Sequence, residues 1–448
     1  MTITVLTPTG TLGYGFGKEA LKRGMTLKPD VIAVDAGSTD PGPAYLGSAE
    51  PLCARRVIKL ELEQLIAASR AAGIPLIIGS AGGSGRGALV DWMADIAREI
   101  ARQSRQSFKL ARIYSDIEPD RVTEALSNNE VKDFEAGFEL SKSDVEQSTA
   151  IVAQMGWEPI AQALAEDADV IIAGRACDDL AIAAYPIAHN GDIALATHMG
   201  KVLECGAFSA EPFAMDVMMG FLNDDHFLLE PGSLNRIASL KSVAAHTLYE
   251  REDPFYQRGP GGAVNLTDCQ FTTVGERQVR VSGATFEPDN EHWFKLEGAR
   301  QVGYRSLCMG GIRCPTMIAN LDELLEQAIE KTVGHFAPDN VHITFRPYGR
   351  DAVMAEMEPK RTGAPSEIGL LMDVTAETQE LAHGACHFLS GHLLHVAYTG
   401  QVNTSGNLAF PYSPSDIDAG PVYEFSIYHL MKAKSAMELF DVQTEFVG

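Results

Sequence analysis

The stretch Ala168-Asp-Val-Ile-Ile-Ala-Gly-Arg-Ala-Cys-Asp-Asp-Leu-Ala-Ile-Ala183 decides how the rest of the chain is read. Val170 to Ala173 form a short apolar run of the kind found in strands buried on both faces. Gly174 breaks the run, and Leu180 to Tyr185 begin a helical pattern. The order of strand, break and helix puts Arg175, Asp178 and Asp179 at the carboxyl end of a strand, where open α/β sheets place their ligands. A helix cap with one ion pair would account for Asp178 and Arg175 alone. Two acids and an arginine crowded together exceed what a cap requires, so this is the principal candidate site.

Upstream the same alternation recurs. Ile3 to Leu6, Asp30 to Val34, Ile74 to Ile78 and Phe108 to Tyr114 read as strands. Helical patterns follow at Lys18 to Arg23, Glu61 to Ala72, from Ala88, at Asp144 to Gln154 and at Pro159 to Asp167. The pattern predicts an α/β fold: a mostly parallel sheet with helices on both faces. Strand ends at Asp35, Gly79, Asp116 and Gly174 then line one edge. Asp35 ends a strand and Asp40 opens a proline-glycine turn; with a serine and a threonine between them, the pair can hold Mg²⁺ or Mn²⁺ through oxygen, or divide acid and base roles. An Asx turn is the simpler alternative. The loop Gly79-Ser-Ala-Gly-Gly-Ser-Gly-Arg-Gly87 between a strand and a helix has the form of an anion cradle. In that reading Ser80, Gly82, Gly83 and Ser84 bring backbone N–H groups to a substrate, and Arg86 adds a bidentate contact. No GK[ST] follows, and the glycines at 10, 13, 15 and 17 do not have GxGxxG spacing, so neither nicotinamide nor flavin is expected.

Downstream, Glu204 and Cys205 are the next chemical pair: a carboxylate for proton transfer beside a thiol that is a nucleophile or a pocket wall. From Gly261 alternating residues, with Gly275 between two runs, predict antiparallel hairpins. Arg313 is a candidate second arginine for the substrate. Pro338-Asp-Asn340 reads as a boundary, dividing residues 1–338 from a smaller α+β domain over 339–448. That domain contains strands Val341 to Pro347, Ile368 to Val374 and Val422 to Tyr428, a helix Glu377 to Val396, and a proline-bearing loop from Asn403 to Asp416. His383 and His387 stand one turn apart on the helix, but the acid of an HExxH pattern is missing. They read as packing residues with solvated rings.

Sixty acids against 36 bases, a formal net charge of -24, leave little room for a basic face and argue against nucleic acid as partner. No apolar run is long enough to span a membrane. Seven scattered cysteines without a CxxC pair indicate reduced thiols in a cytoplasmic protein, with no structural zinc.

Several of these motifs together resemble the acyclic terpene utilisation (AtuA-like) family. They are Ala168 to Asp178, Leu203-Glu-Cys-Gly-Ala207, the hairpin Val264 to Asp268 leading to Val279-Arg-Val-Ser-Gly-Ala284, and the strand ending in Asp35. The resemblance covers roughly residues 1 to 335. It implies an α/β fold, often followed by a small ferredoxin-like domain, and a part in degrading branched acyclic compounds through acyl-CoA intermediates. It also implies a small companion subunit and hence an oligomer.

The residues point to a catabolic lyase, a hydratase or dehydratase of a small carboxylic acid or its CoA thioester. Asp178 or Asp179 is the expected base, Asp35 or Glu204 the expected acid, and Arg86 and Arg175 the carboxylate anchors. Cys205 would line the substrate pocket. Two other readings use the same features: a non-catalytic subunit that binds acyl-CoA or an organic acid beside a small partner, and an ammonia-lyase or isomerase of a dicarboxylate.

Overall fold

A computed structural model describes residues 2–134, 137–359, 363, 365–402 and 404–448. Asn403, the first residue of the expected proline-bearing loop, lies outside the described residues. The chain forms two compact units, residues 1–300 with 425–448, and residues 301–424. The division does not fall at residue 338: residues 301–338 belong to the second unit, and the last 24 residues, 425–448, return to the first. Local pattern marked the change of composition at Pro338, whereas the unit limits depend on which distant strands pair.

The first unit holds a ten-stranded sheet. Its centre is parallel and follows the expected alternation: Ile3–Thr7, Val31–Asp35, Leu76–Gly79, Val170–Ala173 and Phe108–Tyr114 lie side by side in that order. Antiparallel strands extend both sides. Met218–Leu222 pairs with the Ile3 strand, and Asp441–Val447 with the Phe108 strand. The expected hairpin is present too, with Gln270–Val274 against Gln278–Ser282 across Gly275, whose φ of 60° suits a residue without a Cβ.

Successive side chains of a strand point to opposite faces, so an unbroken apolar strand feeds two cores. Val5, Val31, Ala33, Ile77 and Ile171 pack under helices Glu158–Ala165, Asp178–Ala188 and Ile193–Leu203. Leu6, Ile32, Val34, Ile78 and Ile172 pack under Lys18–Thr26, Arg55–Ala72 and Gly87–Ser104. Helices therefore cover both faces, and the carboxyl ends of the parallel strands open along one edge.

One element differs from the expected series. The helix anticipated over Asp144 to Gln154 ends early, as Lys142–Gln147, and Ala150–Ala153 is a strand paired with Leu296 to Ala299. A capping box at Ser141 starts the helix. The β-branched pair Ile151 and Val152 then takes the extended form because a partner strand is available.

In the second unit Val341–Tyr348 and residues 304–312 flank Ile368–Ala376, all antiparallel. Helices Leu321–Phe336 and Gln379–His395 share a core with this sheet through Leu325, Met372 and Leu389. Among the described residues no helix is long and apolar enough to cross a membrane.

Ile172 is fully buried in the middle of the parallel sheet. Ile172→Ala should lower stability by about 2–5 kcal/mol, the cost of lost burial plus an unfilled cavity. Urea unfolding of the purified protein reads this as a lower midpoint at unchanged slope.

Candidate functional site

The strand ends of the first unit border a cavity of about 510 Å³. Its wall includes Asp35, Arg175, Asp178, Glu204 and Cys205, five residues singled out in the sequence, together with His246, Tyr249 and Glu250. Phe208, Phe213 and Met215 supply an apolar side. Asp40 lies at the exposed rim.

Arg175 holds this edge together from within. Its side chain is 7% exposed and forms a fork on Glu297, Nε to Oε2 at 3.0 Å and Nη2 to Oε1 at 3.3 Å. Nη1 donates to Ser80 Oγ at 3.1 Å, to the Ala176 carbonyl at 2.9 Å and to Asp178 Oδ1 at 3.0 Å. Lys295 also reaches Glu297 at 2.8 Å. Burial works against the Glu297 carboxylate, yet Arg175 and Lys295 outweigh it and hold the carboxyl down at about 2. The guanidinium expected to anchor a substrate carboxylate is thus bonded to the protein, because a buried cation without such partners would be too costly to keep.

The glycine-rich loop is likewise closed on the chain. Ser80 N donates to the Gly174 carbonyl at 3.0 Å, Ala81 N to Ala173 at 2.9 Å, Gly83 N to Ser80 at 3.1 Å and Gly85 N to Ala81 at 3.1 Å. At the amino end of the following helix, Gly87 N donates to Asp116 Oδ2 at 2.6 Å, so a carboxylate of the protein sits where an anion was expected. Gly85, at a φ of 69°, is pressed against Arg175, where a Cβ would come within 2.2 Å of the Arg175 nitrogen. Arg86 spends its guanidinium on the carbonyls of Gly47 at 3.1 Å and Thr149 at 3.2 Å. Ser80, Gly82, Gly83, Ser84 and Arg86 are not part of the cavity wall. A tight βα turn and an anion cradle need the same small residues, and here the turn is what forms.

The acids divide into distinct environments. Asp35 is 4% exposed; Oδ2 accepts the Gly37 N–H at 2.9 Å, and among the described residues Oδ1 has no hydrogen-bond partner. Burial and the nearby Asp178 raise its pKa to about 7, against the opposing pull of Arg175, the Gly37 N–H and Ser80. Asp178, at the start of its helix and 42% exposed, pairs with Arg175 on the cavity wall. Asp179 turns elsewhere: Arg251 Nη2 reaches its Oδ2 at 2.9 Å and the Cys177 thiol its Oδ1 at 2.9 Å. It is not part of the wall, and its buried charge is matched by Arg251.

Glu204 closes the end of its helix and meets the buried Lys201 one turn earlier, Nζ to Oε1 at 2.5 Å. Burial pushes the Glu204 carboxyl upward against the pull of Lys201. Lys201 also lies 3.3 Å from Glu250 and 4.7 Å over the Tyr249 ring. Burial, then Glu204, raise the Cys205 thiol to about 12, which favours its protonated form over a thiolate nucleophile near neutrality.

His246, on helix Leu240–Thr247, carries no motif in the sequence. It is 9% exposed, its Nε2 has no hydrogen-bond partner among the described residues, and burial holds it neutral with a pKa of about 4. Among the described residues Glu204, Cys205 and His246 are the three ligand-type side chains that converge, their donor atoms within 4.8 Å of one another. Asp35 and Asp40, the pair expected to hold Mg²⁺ or Mn²⁺, both border the cavity, Asp35 buried and Asp40 exposed, with the Asp40 backbone N–H donating to Ser38 Oγ at 3.2 Å. Sequence reasoning missed Lys201, which the i, i+3 spacing to Glu204 could have signalled, whereas nothing local marks His246 or Tyr249.

In the second unit Arg313 is exposed. His383 and His387 do not converge: each pairs with its own carboxylate, Asp418 and Asp416, at 2.9 Å.

A family model described as acyclic terpene utilisation family protein AtuA matches residues 52–407. No curated protein and no solved structure matches the chain.

Removing one partner of the buried pair tests its part in the site. Glu297→Gln should cost about 3–5 kcal/mol, since it leaves the Arg175 cation buried with its main counter-charge gone. The folded Glu297 pKa lies below the unfolded value, so its stabilisation is present above the unfolded pKa of about 4.3 and is lost as pH falls toward about 2. Acid titration of stability should therefore be shallower in Glu297→Gln than in the wild type.

Proposed function

The chain belongs to the acyclic terpene utilisation family, and on that premise we propose that the cavity adds or removes water at a short branched acyl chain carried as a CoA thioester. The observation that carries this reading is Asp35, a buried carboxyl on the cavity wall with one oxygen unpartnered among the described residues and a pKa raised to about 7. Such a group holds its proton near neutrality and can deliver it to a leaving hydroxyl. Asp178, on the same wall and open to solvent, is suited to accept the α-proton. In the dehydration direction Asp178 takes the α-proton, the C–O bond breaks, and Asp35 protonates the departing oxygen as water. Solvent then moves a proton from Asp178 back to Asp35, and hydration is the reverse.

A thioester is favoured over a free carboxylic acid because the guanidinium at the wall is already committed to Glu297, Ser80 and Asp178. A thioester carbonyl needs no cation to balance a full charge. Phe208, Phe213 and Met215 offer an apolar side for a branched alkyl group.

The test is a hydration and dehydration assay on short branched hydroxyacyl- and enoyl-CoA thioesters, with the free acids in parallel. Asp35→Asn should lower kcat by at least about 100-fold, the low end for loss of a general acid. Wild-type dehydration should decline as pH rises above about 7, where Asp35 loses its proton. Full activity in Asp35→Asn, or a rate that keeps rising through that range, overturns the assignment.

A further inference from the structure

We propose that Glu204, Cys205 and His246 form a binding site for a borderline transition-metal ion such as Zn²⁺, Fe²⁺ or Co²⁺, with the cavity supplying the open coordination position. Three observations meet here. A carboxylate oxygen, a sulfur and an imidazole nitrogen lie within 4.8 Å of one another. All three residues line the same cavity. The His246 Nε2 is buried and has no hydrogen-bond partner among the described residues.

The donor set selects the class of ion. Mg²⁺ and Ca²⁺ take oxygen ligands, whereas one sulfur and one imidazole with a single carboxylate suit the softer divalent ions. Bonds of about 2.0–2.3 Å from a common centre place tetrahedral ligand atoms about 3.3–3.8 Å apart. Donors already within 4.8 Å need close by only about an ångström. Three protein ligands with a fourth position open is the arrangement of catalytic rather than structural sites.

The backbone brings the donors to one point. Glu204 caps helix Ile193–Leu203, Cys205 follows directly, and Gly206 turns the chain at a φ of 59°. Gly10 lies against the Cys205 backbone, where a Cβ would meet it at 3.0 Å. His246 comes from helix Leu240–Thr247, tied to the same turn by the Ser242 hydroxyl, which donates to the Ser209 carbonyl at 2.8 Å. The Lys201 ammonium beside Glu204 would oppose a cation, but it has a second acceptor in Glu250 at 3.3 Å and can be held there when the ion binds. Binding replaces the Cys205 S–H bond with a metal–sulfur bond and releases that proton to solvent, together with any proton carried by the Glu204 carboxyl.

This site shares the cavity with the hydration reading but not its proton donor, so the two can be tested apart. Full-length protein, stripped by a chelator and dialysed, is titrated with Co²⁺ alone. One ion per chain should bind and produce a thiolate-to-cobalt charge-transfer band that Zn²⁺ abolishes and about a hundredfold excess of Mg²⁺ does not. Cys205→Ser should lose the band. His246→Ala and Glu204→Gln, checked for an unchanged melting temperature, should each weaken Co²⁺ binding by at least about tenfold, since loss even of outer partners of metal ligands has that effect. Asp35→Asn should bind Co²⁺ as the wild type does. Absence of stoichiometric Co²⁺ and Zn²⁺ binding to the folded wild type overturns the proposal, as does binding that survives in Cys205→Ser and in whichever of the other two variants folds. A failed cobalt titration with a preserved Asp35 effect would remove the metal and leave the proton-transfer reading standing.

Discussion

The buried Arg175 guanidinium is the constraint on which the candidate site depends. A cation taken out of water must find acceptors for its donors, and Arg175 finds them in four groups: Glu297, the Ser80 hydroxyl, the Ala176 carbonyl and Asp178. Its own backbone nitrogen is held by Ser115 Oγ at 2.7 Å. The carboxyl end of the Val170 strand, the glycine-rich turn and the first turn of the next helix are thereby fixed to one point. Ser80 accepts a left-handed φ of 46° in that arrangement, where the closed loop around it keeps it in place. The site is rigid because its central charge cannot be released without exposing or orphaning Glu297.

The same low dielectric shifts four titratable groups at the cavity. Burial lifts Asp35, Glu204 and Cys205 toward their neutral forms and lowers His246 toward its neutral form. A strongly acidic chain thus presents a wall on which burial favours the protonated forms of two carboxyls, Asp35 and Glu204, while the charged groups, Arg175 with Glu297 and Asp179 with Arg251, are matched inside the protein. The proposed proton donation draws on that condition through Asp35. The proposed metal site draws on it only through the neutral imidazole of His246, and it rests on other side chains of the same cavity.

Local pattern alone carried the parallel centre of the fold. Apolar strands of four to seven residues alternating with helices leave a two-sided sheet as the arrangement that buries every strand. Residues at the ends of those strands were legible as a candidate site for the same reason, and Asp35, Arg175 and Asp178 do share one cavity wall, joined there by Glu204 and Cys205 from a helix end. Roles were less legible than places. Arg86 and the glycine-rich turn have the residue types of an anion cradle, yet the N–H groups of Ser80, Ala81, Gly83, Gly85 and Gly87 and the Arg86 guanidinium donate to Asp116 and to carbonyls of the chain itself. Composition cannot distinguish these outcomes, because both need small residues and a helix start. Asp179 was misplaced by one position on its helix: about 100° of rotation per residue turns it from the wall toward Arg251.

What the sequence by itself determined is therefore whatever repeats at short range: strands, helices, the hairpin about Gly275, and the gathering of strand ends along one edge. Tertiary structure alone decided the pairing of groups far apart in the chain. Arg175 and Glu297 are 122 positions apart, and Ala150–Ala153 became a strand because Leu296 to Ala299 offered it a ladder. His246 joins Glu204 and Cys205 only through the packing of two helix ends. The physical reason is that backbone periodicity reports the face a residue occupies, while the charge or donor it meets there depends on which distant segment is brought against that face.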